Sequence, residues 1–231
     1  MANIIKLGSI LLDGVHRNPG SKYQLGQAIS FGDGVDLQWI VVNGLLIADR
    51  PLLVDISWDD LNDQGLVFGK QVTINGQQFL CRSLQVGTEK GEPNEWDTAL
   101  DATNEDDELW HWTAAFCWGQ ESVEASYRAS RGCDSARRYY WDSSYHWNVF
   151  VGFRPVLEPL PSDNLISGIE VCAIGGQSIL YGKLLEVTDY DAIIRLESNS
   201  ILADTDSGTL YSRLDNCKIA IDYHRMTVQN M

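Results

Sequence analysis

Basic residues are scarce in this sequence. Its 231 residues include 17 Lys and Arg against 32 Asp and Glu, which gives a net charge of −15 at pH 7. Because contacts to phosphate groups need clustered Lys and Arg, this balance argues against non-specific binding to nucleic acid or to an anionic membrane. The 44% of hydrophobic residues is enough for a packed core and excludes a globally disordered chain.

Long hydrophobic runs and paired cysteines are also missing. No apolar run approaches the roughly 20 residues that span a bilayer, and the N-terminal segment lacks the apolar core and cleavage site of a secretory signal. The five cysteines are odd in number and include no CxxC pair. We therefore expect no membrane insertion, no disulfide framework and no zinc knuckle, and a reducing compartment of origin.

The first 55 residues alternate short apolar runs with turn signals, which predicts N-terminal β elements. A short helix is predicted to begin near Ser57, a good N-cap residue, and to end at Gly65. Asn75-Gly76 lies between two β-type runs and predicts a hairpin. From Gly87 to Glu108 the chain is polar and acidic, which is typical of a long surface loop.

A linker is predicted at residues 159–163, where two prolines stiffen the chain. Residues 164–231 contain no Trp and no Pro, and five short β-type runs follow one another there. Such a series of short strands favours a small closed barrel. The spacing over residues 182–196 resembles SH3-like or Sm-like barrels, but the excess of acidic residues favours an assembly module over RNA binding.

Four short motifs follow one another in the middle of the chain. They are Trp110-His111-Trp112-Thr113, Ser130-Arg131-Gly132-Cys133, Ser135-Ala136-Arg137 and Val151-Gly152-Phe153-Arg154-Pro155-Val156-Leu157. From about Ile56 to Glu158 their order resembles the C-type-lectin-like fold of the formylglycine-generating-enzyme (sulfatase-modifying factor) superfamily. In that fold a WEWT-type segment precedes an RGGSW-type strand and a closing GFRPV strand. The resemblance implies an α+β domain over these residues.

Several motif residues are expected to be structural. Glycine permits close approach of two backbones, aromatic side chains fill a core, and a buried Arg must be paired. The residues to which this applies are Trp112, Gly132, Gly152, Phe153 and Arg154.

The enzymes of this superfamily are not matched in their metal ligands. The formylglycine-generating branch holds copper with a cysteine pair shortly after the RGGS strand. Here Cys133 stands where the second glycine of that strand would be, and the next cysteine is Cys172, beyond the linker. Iron-dependent relatives use closely spaced histidines on one helix, whereas the four histidines here are scattered and form no HxxxH. We therefore expect a protein that is not an enzyme and uses no cofactor.

The remaining branch consists of ligand-binding proteins diversified by retroelements, with relatives in phages and prophages. The resemblance implies that residues between the RGG-type strand and GFRP form a solvent-facing patch. The 137–150 segment contains three Tyr, two Trp and two Ser, with one Asp and one Asn, which supply rigid contact area and adaptable hydrogen bonds. Because a strand buries every second residue, about half of the segment is expected in the core. The predicted ligand-binding residues are Tyr139, Trp141, Ser143, Tyr145, His146 and Asn148.

Calcium binding and acid–base catalysis remain open as alternatives. Glu92-Pro93-Asn94 resembles the sugar-binding calcium motif of C-type lectins, but His111-Trp112 replaces the Asn-Asp that would complete the ligands. The acidic run 104–108 could also hold calcium, although a solvated loop is the simpler interpretation. His146 could act as a general base, but no Ser or Cys nucleophile with a supporting carboxylate is evident. We therefore predict no metal site.

The resemblance implies a phage- or prophage-encoded protein that recognises a host-surface protein or glycan. Other virion or assembly proteins are expected partners, and a homo-oligomer is compatible with the pattern. We expect synthesis in the bacterial cytoplasm without a signal peptide, followed by association with the virion. The predicted organisation is N-terminal β elements (1–55), a C-type-lectin-like domain (56–158), a linker (159–163) and a small β-barrel (164–231).

Two other functions remain open. The first is a structural virion component, such as a decoration or tail-associated protein, that uses the fold as a rigid brick. The second is a formylglycine-type metal-dependent oxidase.

Overall fold

The computed structural model describes residues 3–147 and 149–231, and these residues are mostly β. The strands form three six-stranded sheets and one three-stranded sheet, and the three α-helices are short. The expectation of a β-rich chain is therefore confirmed. None of the helices in these residues is long and apolar enough to cross a membrane.

The elements are numbered in chain order. The strands before the first helix are β1 (Asn3–Lys6), β2 (Ser9–Leu12), β3 (Val15–Arg17), β4 (Ser21–Lys22), β5 (Ile29–Gly32), β6 (Gln38–Val42), β7 (Leu45–Ala48) and β8 (Leu53–Val54). The middle of the chain contains α1 (Trp58–Asp63), β9 (Lys70–Ile74), β10 (Gln77–Ser83), α2 (Glu95–Thr103), α3 (Asp107–Trp110), β11 (Phe116–Glu124), β12 (Tyr127–Gly132), β13 (Tyr139–Ser143), β14 (Val151–Phe153) and β15 (Pro155–Pro159). The remaining strands are β16 (Glu170–Gly175), β17 (Ser178–Val187), β18 (Asp191–Leu196), β19 (Tyr211–Arg213), β20 (Lys218–Asp222) and β21 (Thr227–Asn230).

The first sheet is antiparallel and has the order β1-β6-β7-β15-β10-β9. It pairs strands from before residue 55 with β15, which ends at Pro159, the first residue of the predicted linker. The hairpin at Asn75-Gly76 is confirmed, since Gln77 pairs with Ile74. Both turn residues have positive φ angles, 50° and 80°, as a two-residue type I′ turn requires.

The helix predicted near Ser57 is also confirmed. The Ser57 side chain accepts from the backbone N–H of Asp60, and the Asp60 carboxylate accepts from the N–H of Ser57, which is a reciprocal capping arrangement. α1 ends just before Gly65, whose φ is 75°. Its buried residues, Trp58 and Leu61, point into the core beside the second sheet.

The acidic segment from Gly87 to Glu108 was predicted as a loop, and this prediction is wrong because the segment contains α2. Asn94 caps the helix by accepting from the N–H of Asp97. Trp96, Ala99 and Leu100 are buried along one face, at the spacing of an amphipathic helix. The many acidic residues of the other face hid this period in the sequence.

The second sheet is mixed and has the order β13-β12-β11-β14-β8-β4. The RGC motif ends β12 and the GF motif forms β14, and these strands flank β11 on its two sides. A Cβ atom on Gly152 would lie 2.6 Å from the carbonyl oxygen of Leu53, so only glycine fits there. Arg154 is fully buried and donates to the carbonyl oxygens of Trp110 and His111, which ties the first motif to the last.

The third sheet has the order β19-β20-β18-β17-β16-β21. Its first five strands in the chain agree with the five predicted runs, while β21 was not predicted. The side chain of Gln229 in β21 donates to the carbonyl oxygens of Gln78 and Leu160, at 2.6 and 2.7 Å. Ile174 and Ile179 belong to the same core cluster as Ile74 and Phe79, so the third sheet packs on the first.

Candidate binding surface

An exposed apolar surface covers β13 and the residues that follow it. Its members have side chains with between 37% and 68% of their surface exposed to solvent. We call this set the aromatic surface: Tyr140, Trp141, Tyr145, Trp147, Val149 and Phe150. Large apolar side chains clustered on the outside of a protein usually mark an interaction site.

The two faces of β13 have different surroundings, because successive side chains of a strand point to opposite sides. Tyr139, Trp141 and Ser143 share one face, and Tyr140 and Asp142 share the other. β13 pairs with β12 in an uninterrupted antiparallel register from Tyr139 to Ser143. It is an edge strand, because the second sheet ends with it.

On the Tyr140 face lies a hollow of about 360 Å³. Its apolar wall includes Phe116, Tyr140 and Phe150, and its polar groups include Asp142, His146 and Cys133. The rings of Phe116 and Tyr140 stack with their centroids 4.6 Å apart. We call this cavity the aromatic hollow, and it is large enough for one side chain or one sugar ring.

The polar edge of the aromatic hollow is held by Asp142. His146 Nδ1 donates to Asp142 Oδ2 over 2.7 Å, and the backbone N–H of Ser143 donates to Asp142 Oδ1 over 2.8 Å. In the neutral imidazole, a carboxylate on Nδ1 fixes the tautomer of the ring and leaves Nε2 as an acceptor. The half-exposed imidazole can therefore accept a hydrogen bond from a ligand.

Cys133 lines the same hollow, so a cysteine nucleophile beside a carboxylate-supported histidine must be considered. Burial and the neighbouring carboxylate of Asp134 both raise the pKa of the Cys133 thiol. The thiolate is the nucleophilic form, and these surroundings disfavour it. The arrangement suits contact with a ligand better than covalent chemistry.

The turn after β13 is anchored to α1. Ser144 is buried; its backbone N–H donates to the carbonyl oxygen of Ser126. Its hydroxyl donates to Asp59 Oδ2, and its carbonyl oxygen accepts from the N–H of Asp59. The segment that displays Tyr145 and Trp147 therefore begins from a fixed position.

On the other face of β13, Tyr139 lies on a network of charged groups. The buried Arg131 guanidinium is 3.8 Å from the centre of the Tyr139 ring, and it donates to Asp97 Oδ1 over 2.6 Å. Burial acts against ionisation of Asp97, but hydrogen bonds from Asn94 and Arg131 hold its pKa below the ordinary value. A cavity of about 580 Å³ lies here, and we call it the charged hollow.

The predicted ligand-binding residues are distributed unequally. Trp141, Tyr145 and His146 are exposed, whereas Tyr139 and Ser143 are half-buried. Asn148 lies outside the described residues.

Sequence reasoning missed Tyr140, Asp142 and Phe116. The alternation of side chains along β13 would have identified Tyr140 and Asp142 if both faces of the strand had been considered. Phe116 comes from β11, and no local signal in the sequence places it beside Tyr140.

The residues considered for calcium are engaged in local hydrogen bonds. Glu92 accepts from the backbone N–H of Thr88, and Asn94 caps α2. In the acidic run, Glu105 pairs with Arg137 and Asp106 caps α3. Over residues 3–147 and 149–231, no group of three or more His, Cys, Asp or Glu side chains is placed to hold a metal ion.

No protein-family model, curated protein or solved structure matches this chain. Its function must therefore be inferred from the geometry of its own residues.

Proposed function

We propose that this protein is a ligand-binding protein that recognises a host-surface protein or glycan through the aromatic surface. The observation that carries the proposal is the set of exposed Tyr, Trp and Phe side chains on β13 and the segment after it, of which Tyr140 and Phe150 line the aromatic hollow. Its origin in a phage or prophage, its place in a virion and virion partners rest on the sequence resemblance alone.

The energetics of the aromatic surface support recognition. Tyr and Trp offer large, rigid contact area and lose little rotamer entropy on binding. Such side chains are typical of binding hot spots, where a few residues carry most of the binding free energy. His146 and Asp142 add polar groups at the edge of the hollow that can orient a ligand.

We also propose that the protein is not an enzyme. The raised pKa of the Cys133 thiol argues against a cysteine nucleophile. A metal-dependent oxidase would need soft ligands close together, but Cys172 is buried in the core shared by the first and third sheets.

For the architecture, we infer that residues 56–158 form a C-type-lectin-like domain of α+β type and residues 164–231 a small SH3-like or Sm-like barrel. The adjacency of β12, β11 and β14 supports the first inference, because it brings the motif strands together.

The experiment is to measure binding of the fluorescently labelled protein to intact bacteria and to a glycan panel. The test variant replaces Trp141, Tyr145 and Trp147 with Ala. We expect at least a tenfold loss of saturable binding at an unchanged melting temperature, since these side chains are exposed and have the character of binding hot spots.

The matched control replaces two equally exposed aromatic residues elsewhere, Phe68 and Tyr190, with Ala and should bind like the wild type. If neither the wild type nor the control binds any surface while both are folded, the recognition function is wrong. A structural virion component then becomes the better interpretation.

A further inference from the structure

We propose that the open edge of β13 binds an extended, net-basic polypeptide segment by strand addition. This proposal rests on the recognition function above and names the chemical class of the partner: a protein rather than a glycan. Four observations support it, namely the direction of the main-chain groups, the lack of edge protection, the hollows on both sides and the net charge.

The hydrogen-bond pattern of β13 gives the direction of its main-chain groups. The N–H of Ser144 donates to the carbonyl oxygen of Ser126 over 2.8 Å, so these two residues form a hydrogen-bonded pair. Such pairs alternate with non-bonded pairs along an antiparallel ladder. The N–H and C=O groups of Asp142 and Tyr140 therefore point toward β12. Those of Trp141 and Tyr139 point toward the open edge.

Ser143 is the third residue of β13 whose main-chain groups point outward, and it shows where an added strand would have to end. The N–H of Ser143 donates to Asp142 Oδ1, and its carbonyl oxygen accepts from the N–H of His146. The open edge thus offers the N–H and C=O groups of Trp141 and Tyr139. These four groups are enough to pair with a strand of about four residues.

The edge of β13 lacks the protection that most other edges of this protein have. Natural proteins shield edge strands with Lys, Pro or very short length. The outer strands β1, β3, β4, β9 and β19 each contain Lys or Arg, and β4 has only two residues. β13 has five residues, Tyr139-Tyr140-Trp141-Asp142-Ser143, with no Lys, Arg or Pro, and its one charged side chain, Asp142, pairs with His146.

The two hollows lie on opposite faces of this edge. Tyr140 and Asp142 line the aromatic hollow, while Tyr139 lines the charged hollow. The side chains of an added strand alternate between the two faces. Every second residue of the segment would therefore enter the aromatic hollow, while main-chain hydrogen bonds supply affinity that does not depend on sequence.

Charge decides between a foreign segment and a second copy of this chain. Each copy carries a net charge of −15, and this repulsion opposes pairing of two β13 edges. Asp134 and Asp142 at the aromatic hollow already pair with Arg138 and His146, so the attraction comes from the net charge of the whole molecule. A segment with excess Lys or Arg is attracted by the same charge, so the partner is expected to be net-basic.

The probe is a pool of nine-residue peptides in which Lys alternates with Val, Ile, Tyr or Phe. In one matched pool the backbone amide nitrogen of every Lys is methylated. In the other, the backbone amide nitrogens of all the remaining residues are methylated. Because N-methylation blocks one edge of a strand, we expect one methylated pool to bind like the parent and the other at least tenfold more weakly. Equal binding of both methylated pools, or no binding of the parent pool, would overturn the proposal.

Two variants of Trp141 separate the contribution of its main-chain N–H to binding from the contribution of its indole ring. Trp141→Pro removes an N–H that points outward and donates no hydrogen bond to β12. An edge strand tolerates proline at such a position. Trp141→Ala keeps that N–H and removes the ring. In the wild type and in Trp141→Ala, we expect the bound peptide to slow hydrogen exchange of the backbone amides at residues 139 and 141. We expect Trp141→Pro to lose peptide binding.

The outcomes distinguish this proposal from the recognition function. If bacteria are bound by Trp141→Pro but not by the triple alanine variant, recognition stands and strand addition is wrong. If the peptides bind with protected amides but no bacterial surface is bound, strand addition stands and host recognition is wrong. A concentration-dependent dimer that Trp141→Pro abolishes would identify a second copy as the occupant and overturn the proposal.

Discussion

At the scale of single residues, Arg154 connects two of the sequence motifs that lie more than 40 residues apart. Its guanidinium is fully buried and donates to the carbonyl oxygens of Trp110 and His111, at 2.7 and 3.1 Å. It also lies 4.2 Å from the centre of the Trp110 ring. Burial lowers the pKa of Arg154, which reflects a charge held mainly by neutral acceptors and aromatic faces.

Replacing Arg154 with Met should destabilise the fold by about 3 kcal/mol, because one buried and one partly buried carbonyl group lose their donor. The free energy of unfolding from urea titration measures this effect. Arg138→Met is the matched control: Arg138 is exposed and, among the residues that the structure describes, forms an ion pair only with Asp134, so it should change stability by less than about 0.5 kcal/mol. Equal stability of both variants would show that Arg154 has no structural role.

At the scale of elements, hairpins and caps were predictable from the sequence, whereas α2 and the faces of β13 were not. Asn-Gly turns and the Ser57 cap act through neighbouring residues, so a short window contains the whole signal. α2 depends on burial of Trp96, whose indole N–H donates to the carbonyl oxygen of Ala136. That contact spans 40 residues and has no local signal, while the apolar period of α2 itself was masked by its acidic face. The stacking of Phe116 on Tyr140 likewise joins residues that are distant in sequence.

α2 is joined to β12 by the pair of Asp97 and Arg131, and this pair predicts a dependence on pH. The pKa of Asp97 is lower in the folded protein than in the unfolded chain. Its contribution to stability is therefore fully present above the unfolded pKa of about 3.9 and is lost as the pH falls through the lower folded pKa.

Asp97→Asn should cost about 1–3 kcal/mol at pH 7, because it leaves the buried Arg131 without its carboxylate. The difference from the wild type should shrink as the pH falls below 4, and urea titrations between pH 3 and pH 7 measure it. Asp163→Asn at an exposed position is the control and should follow the wild type at every pH. A difference that stays constant with pH would exclude ionisation of Asp97 as the cause.

At the scale of the whole molecule, the third sheet and the rest of the chain share a core. Ile174 and Ile179 pack in one cluster with residues of the first sheet, and Gln229 donates across the same junction. Ile194 belongs to a separate cluster within the third sheet. We therefore expect the chain to unfold as one cooperative unit, although the sequence divides it at residues 159–163.

Tryptophan fluorescence provides the test, because all eight Trp residues precede residue 164. Ile194→Ala should destabilise the third sheet by about 2–4 kcal/mol through the cavity it leaves. If unfolding is cooperative, the urea midpoint reported by Trp fluorescence will fall together with the midpoint from far-ultraviolet circular dichroism. An unchanged fluorescence midpoint would mean that the third sheet unfolds alone, and the shared cluster around Ile174 would then contribute little to the coupling.

Ile174→Ala, which removes a side chain from the shared cluster itself, should lower the fluorescence midpoint if the two parts are coupled by packing.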